Sequence, residues 1–163
     1  MKKHLAVFFQ IMVIVWGLAV IVFMLWEPNV EGRNANATLF EIYFKDPFLA
    51  YAYVGSIPFF VALYKAYSAL GFVKNGQTFS LPTIKALRTI KYCALLQIGL
   101  ILAGVGYIFL TMRGKDDIAG GVVMGFFMVI ILFSMALVAA LVEKKLKKGM
   151  EVKFLSEPKR FGY

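Results

Sequence analysis

Four stretches of almost unbroken apolar side chains dominate the chain, separated by shorter polar ones. The first, Leu5 to Trp26, has Gln10 as its only strongly polar residue and is followed by Glu27 and Pro28, which suit a loop. The second, Phe48 to Val73, is rich in tyrosine (Tyr51, Tyr53, Tyr64, Tyr67), with Pro58 inside and Lys65 near its far end. The third runs from about Tyr92 to Met112, just before Arg113, and the fourth from Ile118 to Val142, uncharged until it stops at Glu143. Each is about the length a helix needs to cross a hydrocarbon layer of ~30 Å at ~1.5 Å per residue. Inside such a layer each segment must satisfy its own backbone donors and acceptors, so the four stretches are predicted to be helices. The expected fold class is all-α: an integral membrane four-helix bundle forming a single membrane domain over 1–163, with a basic tail at 143–163.

Composition agrees with that pattern. The chain of 163 residues is 61% apolar, above the roughly 45 to 50% of soluble globular domains. A cleaved leader is not expected at the amino end. Lys2 and Lys3 give a positive start, but the apolar run is longer than the roughly 7 to 15 residues of a leader, and bulky Phe23, Met24, Leu25 and Trp26 stand where small residues would be needed.

Charge sets the expected orientation, because the Lys/Arg-rich side of short connections stays cytoplasmic. Lys2, Lys3, Lys74, Lys85, Arg88, Lys91, Lys144, Lys145, Lys147, Lys148, Lys153, Lys159 and Arg160 make 13 on one side of the predicted spans. Arg33, Lys45, Arg113 and Lys115 make 4 on the other, with Lys65 left inside the second run. Both termini are predicted to be cytoplasmic, in a multi-pass protein of the cell membrane. The net charge of +9 largely reflects this asymmetry, and no direct contact with nucleic acid is expected.

Between the second and third runs lies KNGQTFSLPTIKALRTIKY, Lys74 to Tyr92, with no acidic residue. Asn75-Gly76 suits a turn, and Ser80 a helix N-cap with Pro82 tolerated in the first turn after it. At about 100° per residue Lys85, Arg88 and Lys91 share one flank and Ala86, Leu87 and Ile90 the other, although Ile84 intrudes on the basic side. The segment is predicted to be an interfacial first part of the third helix, with basic heads at phosphate level. Its charges suit contacts with anionic lipid headgroups. Together with Lys144, Lys145, Lys147 and Lys148 they also suit a docking face for a cytoplasmic protein.

Helix packing in lipid depends on small residues spaced four apart. Gly121 and Gly125, Ala136 and Ala140, and Gly99 with Ala103 and Gly104 supply that spacing, so the third and fourth helices are expected to pack as a hairpin. The same stripes also allow a homodimer.

Chemistry is sparse. The four run interiors contain no Asp, Glu or His, the residues that most often mark proton or ion pathways within membranes. Lys65 is expected to snorkel toward the interface. Gln10, Ser56, Gln97 and Ser134 are candidates for interhelical hydrogen bonds of about 0.6 to 2 kcal/mol each. The single histidine, His4, and the single cysteine, Cys93, have no partners at metal-ligand or disulfide spacing. No hydrolase, metalloprotease or phosphate-loop motif is present. No catalytic residue, cofactor or metal is assigned, and an enzyme is not expected. The connection from Glu27 to Pro47 begins as a polar loop, and Leu39, Phe40, Ile42, Tyr43 and Phe44 suit an aromatic belt at the outer surface. Asn36-Ala37-Thr38 has the form of a glycosylation acceptor.

The order of a basic amino end, a span, a loop, a second span, a Gly-x-x-Phe-Ser turn (Gly76, Phe79, Ser80), a Leu-Arg-x-Ile stretch (Leu87, Arg88, Ile90) and two further spans resembles the four-span prokaryotic membrane proteins grouped as domain of unknown function family 2975. That resemblance implies no assigned enzymatic activity. It also implies a small helix-turn-helix regulator as a possible cytoplasmic partner, which the membrane protein would hold or modulate. The alternative is a small oligomeric transporter or channel subunit, with Gln97, Ser134 and the small-residue stripes lining a path.

Overall fold

The computed structural model describes residues 3–30, 38, 40, 47–111 and 119–156. Four helices account for nearly all of them: α1 (Lys3–Val30), α2 (Pro47–Lys74), α3 (Leu81–Thr111) and α4 (Ala119–Ser156). No strand occurs among the described residues, and all four helices are long and apolar enough to cross a bilayer. The expected aromatic belt apart from Phe40, Asn36 and Ala37 of the acceptor triplet, the turn around Arg113 and Lys115, and the terminal Lys159 and Arg160 lie outside the described residues.

Three helices extend well beyond their apolar stretches. α1 continues through Glu27 and Pro28 to Val30. Pro28 has no N–H to give to the Met24 carbonyl four residues back, and the Tyr53 hydroxyl of α2 donates to that carbonyl at 2.8 Å. α4 continues past Glu143 to Ser156. Loss of hydropathy ends a membrane span but not a helix, and the Glu, Lys, Leu and Met residues that follow are strong helix formers. With 38 residues α4 is about 57 Å long, well beyond the ~30 Å of hydrocarbon. α3 likewise begins at Leu81, about 16 Å before the apolar run that opens at Tyr92.

The bundle is packed in chain order: α1 on α2, α2 on α3, α3 on α4. Neighbours run antiparallel. Gln10 Nε2 donates to the Tyr67 carbonyl at 3.2 Å, while at the opposite end of the same pair Tyr53 reaches Met24. Between α2 and α3 the Tyr51 hydroxyl donates to the Leu100 carbonyl at 2.5 Å, and its ring lies over Gly104, where an added Cβ would stand 3.1 Å from it. Against α4, Gly125 receives Val105 so closely that a Cβ there would lie 2.6 Å from its methyl.

Small residues form the seam within the spans. Ala94, Ala136 and Ala139 are buried, Ala140 is half-buried, and Gly99, Ala103 and Gly121 face outward, with open space beside both glycines. Of the four polar side chains expected to bond across helices, Gln10 alone has such a bond. Ser56 and Ser134 donate to carbonyls of their own helices, Tyr53 and Ile130, because a serine hydroxyl reaches the preceding turn more easily than a neighbouring helix. Gln97 Oε1 is buried without a donor. The outer faces carry large exposed apolar side chains along the apolar run of every helix, from Trp16 and Phe23 to Phe126 and Ile131. Water would leave an apolar surface of this extent unsatisfied, whereas acyl chains cover it.

Candidate functional site

Among the described residues, most of the buried side chains larger than alanine lie beyond the apolar runs, where the start of α3 meets the extension of α4. Thr83, Ile84, Ile90 and Leu146 are buried there. Local chemistry sets the entry to α3. Gly76 takes φ 78° after the last turn of α2, with Gln77 N–H donating to the Phe72 carbonyl at 2.8 Å and Gly76 N–H to that of Val73 at 3.1 Å. This is a glycine-closed helix end, the glycine taking the left-handed conformation that a Cβ disfavours. Ser80 then stands at the N-cap, its Oγ accepting from Thr83 N–H at 3.5 Å. The hydroxyls of Ser80 and Thr83 both donate to the Gln77 carbonyl, at 2.8 and 2.9 Å. Phe79 projects from this turn onto α4, its ring against Gly149 in space that a Cβ would occupy.

One turn and a half back along α4, Glu143 joins the two helices. Its side chain is 5% exposed and receives three cations: Arg88 Nε at 3.1 Å and Lys147 Nζ at 2.9 Å on Oε1, and Lys91 Nζ at 3.0 Å on Oε2. Burial works to keep the carboxyl protonated, but the hydrogen bonds from Lys147, Lys91 and Arg88 and the Lys91 charge outweigh it, holding the pKa down at about 2. The group is ionised at neutral pH, and the cluster carries two positive charges in excess of its one negative charge.

The structure therefore divides the basic residues expected at this site. Arg88, Lys91 and Lys147 converge on Glu143, while Lys85, Lys144, Lys145 and Lys148 are exposed and make no ion pair among the described residues. Glu143 itself escapes a reading by hydropathy, which treats it only as the end of a span. The signal that could have found it is its spacing of four from Lys147, which puts both on one helix face, inside a run otherwise basic. Because the helices alternate in direction, Lys3, Lys74, the start of α3 and the extension of α4 all lie at the same end of the bundle.

Residues 3–154 match a family described as "Protein of unknown function (DUF2975)". The chain is also similar to a Bacillus subtilis (strain 168) protein described as "Uncharacterized membrane protein YoaS", with 31% identity over 154 residues, covering 94% of this chain and 96% of that one. No solved structure matches.

Proposed function

The chain belongs to the DUF2975 family of multi-pass membrane proteins, and from that premise we propose that it is a non-enzymatic adaptor in the cell membrane that holds a small soluble partner at a basic cytoplasmic face. The carrying observation is the Glu143 clamp. By tying α3 to α4 beyond their apolar runs, it makes the basic extension part of a packed helix pair, so that Lys85, Lys144, Lys145 and Lys148 are presented at fixed spacings. Preorganised charge of one sign steers an oppositely charged partner and costs less ordering entropy on binding than a loose tail would. The excess of Lys and Arg at this end directs it to the cytoplasm, where a small helix-turn-helix regulator is the kind of partner the family resemblance suggests, and an acidic surface on that partner would complement the lysines.

The test is co-purification of the tagged full-length protein in mild detergent. The partner is identified by mass spectrometry, and its recovery compared with that from a variant carrying Lys85→Glu, Lys144→Glu, Lys145→Glu and Lys148→Glu. Recovery is expected to fall at least tenfold, roughly the effect of 1.4 kcal/mol. Equal recovery of the same partner by the reversed variant would reject the adaptor.

A further inference from the structure

The clamp around Glu143 sits at a particular depth. Val142 closes the apolar run of α4 and Tyr92 opens that of α3, so Glu143 and Lys91 lie at the edge of the hydrocarbon, within the headgroup layer of roughly 5 to 7 Å. Tyr92 marks the same level, with Lys91 Nζ 5.1 Å from its ring centroid; tyrosine favours this boundary because its ring is apolar and its hydroxyl wet.

Three donors at the clamp are not exhausted by one carboxylate. Arg88 gives Glu143 only its Nε, both of its Nη groups are without a partner among the described residues, and its side chain is 48% exposed. Lys147 is 44% exposed. A guanidinium fork matches the oxygens of a phosphate, and ammonium groups beside it add charge. Below Arg88 on the same face of α3 follow Tyr92, Leu95, Gly99 and Leu102, at the spacing i, i+4, i+7, i+11 and i+14, all exposed. Cationic, aromatic and aliphatic groups thus succeed one another down one helix face, the order of phosphate, interface and acyl chain in a lipid. Gly99 leaves a shallow place in the aliphatic part, with nothing within 4 Å of where a Cβ would stand.

We propose that Arg88, Lys91 and Lys147 seat the phosphate of an anionic membrane lipid whose acyl chain lies along Tyr92, Leu95, Gly99 and Leu102, with Glu143 as the positioning residue that holds the three cations in place. Glu143 restrains their rotamers before the lipid arrives, which lowers the ordering cost of binding. The aliphatic stripe selects a lipid over a free phosphate. Both readings rest on the Glu143 clamp, but this site uses none of the four outward lysines of the adaptor reading, so the variants that test one leave the other's binding residues in place.

The test uses the full-length protein, purified in detergent and delipidated. Retention is measured by native mass spectrometry for phosphatidylglycerol, for phosphatidylcholine with the same acyl chains, and for glycerol phosphate. Wild type is expected to retain phosphatidylglycerol about tenfold better than phosphatidylcholine, since adjacent cations act together on an anionic headgroup. Arg88→Gln should abolish that preference, while Lys144→Gln, which removes the same charge from an outward position, should leave it unchanged. Glu143→Gln removes the cluster's one negative charge and so makes it more positive, yet should weaken the preference, because the cations lose their support. Equal losses from Arg88→Gln and Lys144→Gln, a stronger preference in Glu143→Gln, equal retention of glycerol phosphate, or no preference in wild type would each overturn the proposal. Should Glu143→Gln fail to fold, the comparison of Arg88→Gln with Lys144→Gln decides alone.

Discussion

Glu143 shows how one carboxylate can organise a site made of cations. Burial alone would favour its neutral form, yet three donors within 3.1 Å keep it charged. Replacing it with glutamine leaves Arg88, Lys91 and Lys147 facing one another without a counter-charge, and removal of one side of a buried ion pair is strongly destabilising. We expect Glu143→Gln to lower stability by on the order of 2 to 3 kcal/mol at pH 7, read as a shift in the midpoint of unfolding in detergent. The pH dependence has a definite sign. With the folded carboxyl at about 2 and an unfolded one near ~4.3, the folded state binds fewer protons between those values. Its contribution is complete above the unfolded pKa and is lost as pH falls through the folded one. The difference between wild type and Glu143→Gln should therefore be flat from pH 5 to 8 and shrink toward pH 2. A difference that grew on acidification would contradict the assignment.

At the scale of helices, the contact between α3 and α4 turns on which glycine meets a neighbour. Gly121 and Gly125 share the same four-residue spacing, but Gly125 faces Val105 and Gly121 faces open space. Gly125→Leu should cost about 1 to 3 kcal/mol through overpacking. Gly121→Leu should stay within about 0.5 kcal/mol, as expected of an outward position. Titration of both variants from detergent into denaturing surfactant measures this, and equal losses would show that the seam runs elsewhere. The difference was not legible in the sequence, because spacing gives a face but not the element that covers it. The start of α3 was legible, since Ser80 and Pro82 act through local backbone geometry. The end of α4 was not: Lys144 to Ser156 is too polar for a span yet well suited to a helix, and its docking depends on Phe79 and Gly149, which are far apart in the chain.

For the molecule as a whole, every described Lys and Arg except Lys65 lies at one end of the bundle. The sequence already separated these charges by side, and the alternating helices gather them. In a Cys93→Ala background, Lys85→Cys and Lys144→Cys should react with an impermeant maleimide only in inverted vesicles, and Asn34→Cys only in intact cells; the reverse result would invert the proposed orientation. The order of packing has a further consequence for biogenesis. Since each helix rests on the one synthesised before it, a nascent chain can settle its spans one by one as they leave the insertion machinery. Arg88 and Lys91 enter the interface before their carboxylate has been made, so the last helix to emerge completes the charge balance of the third as it docks.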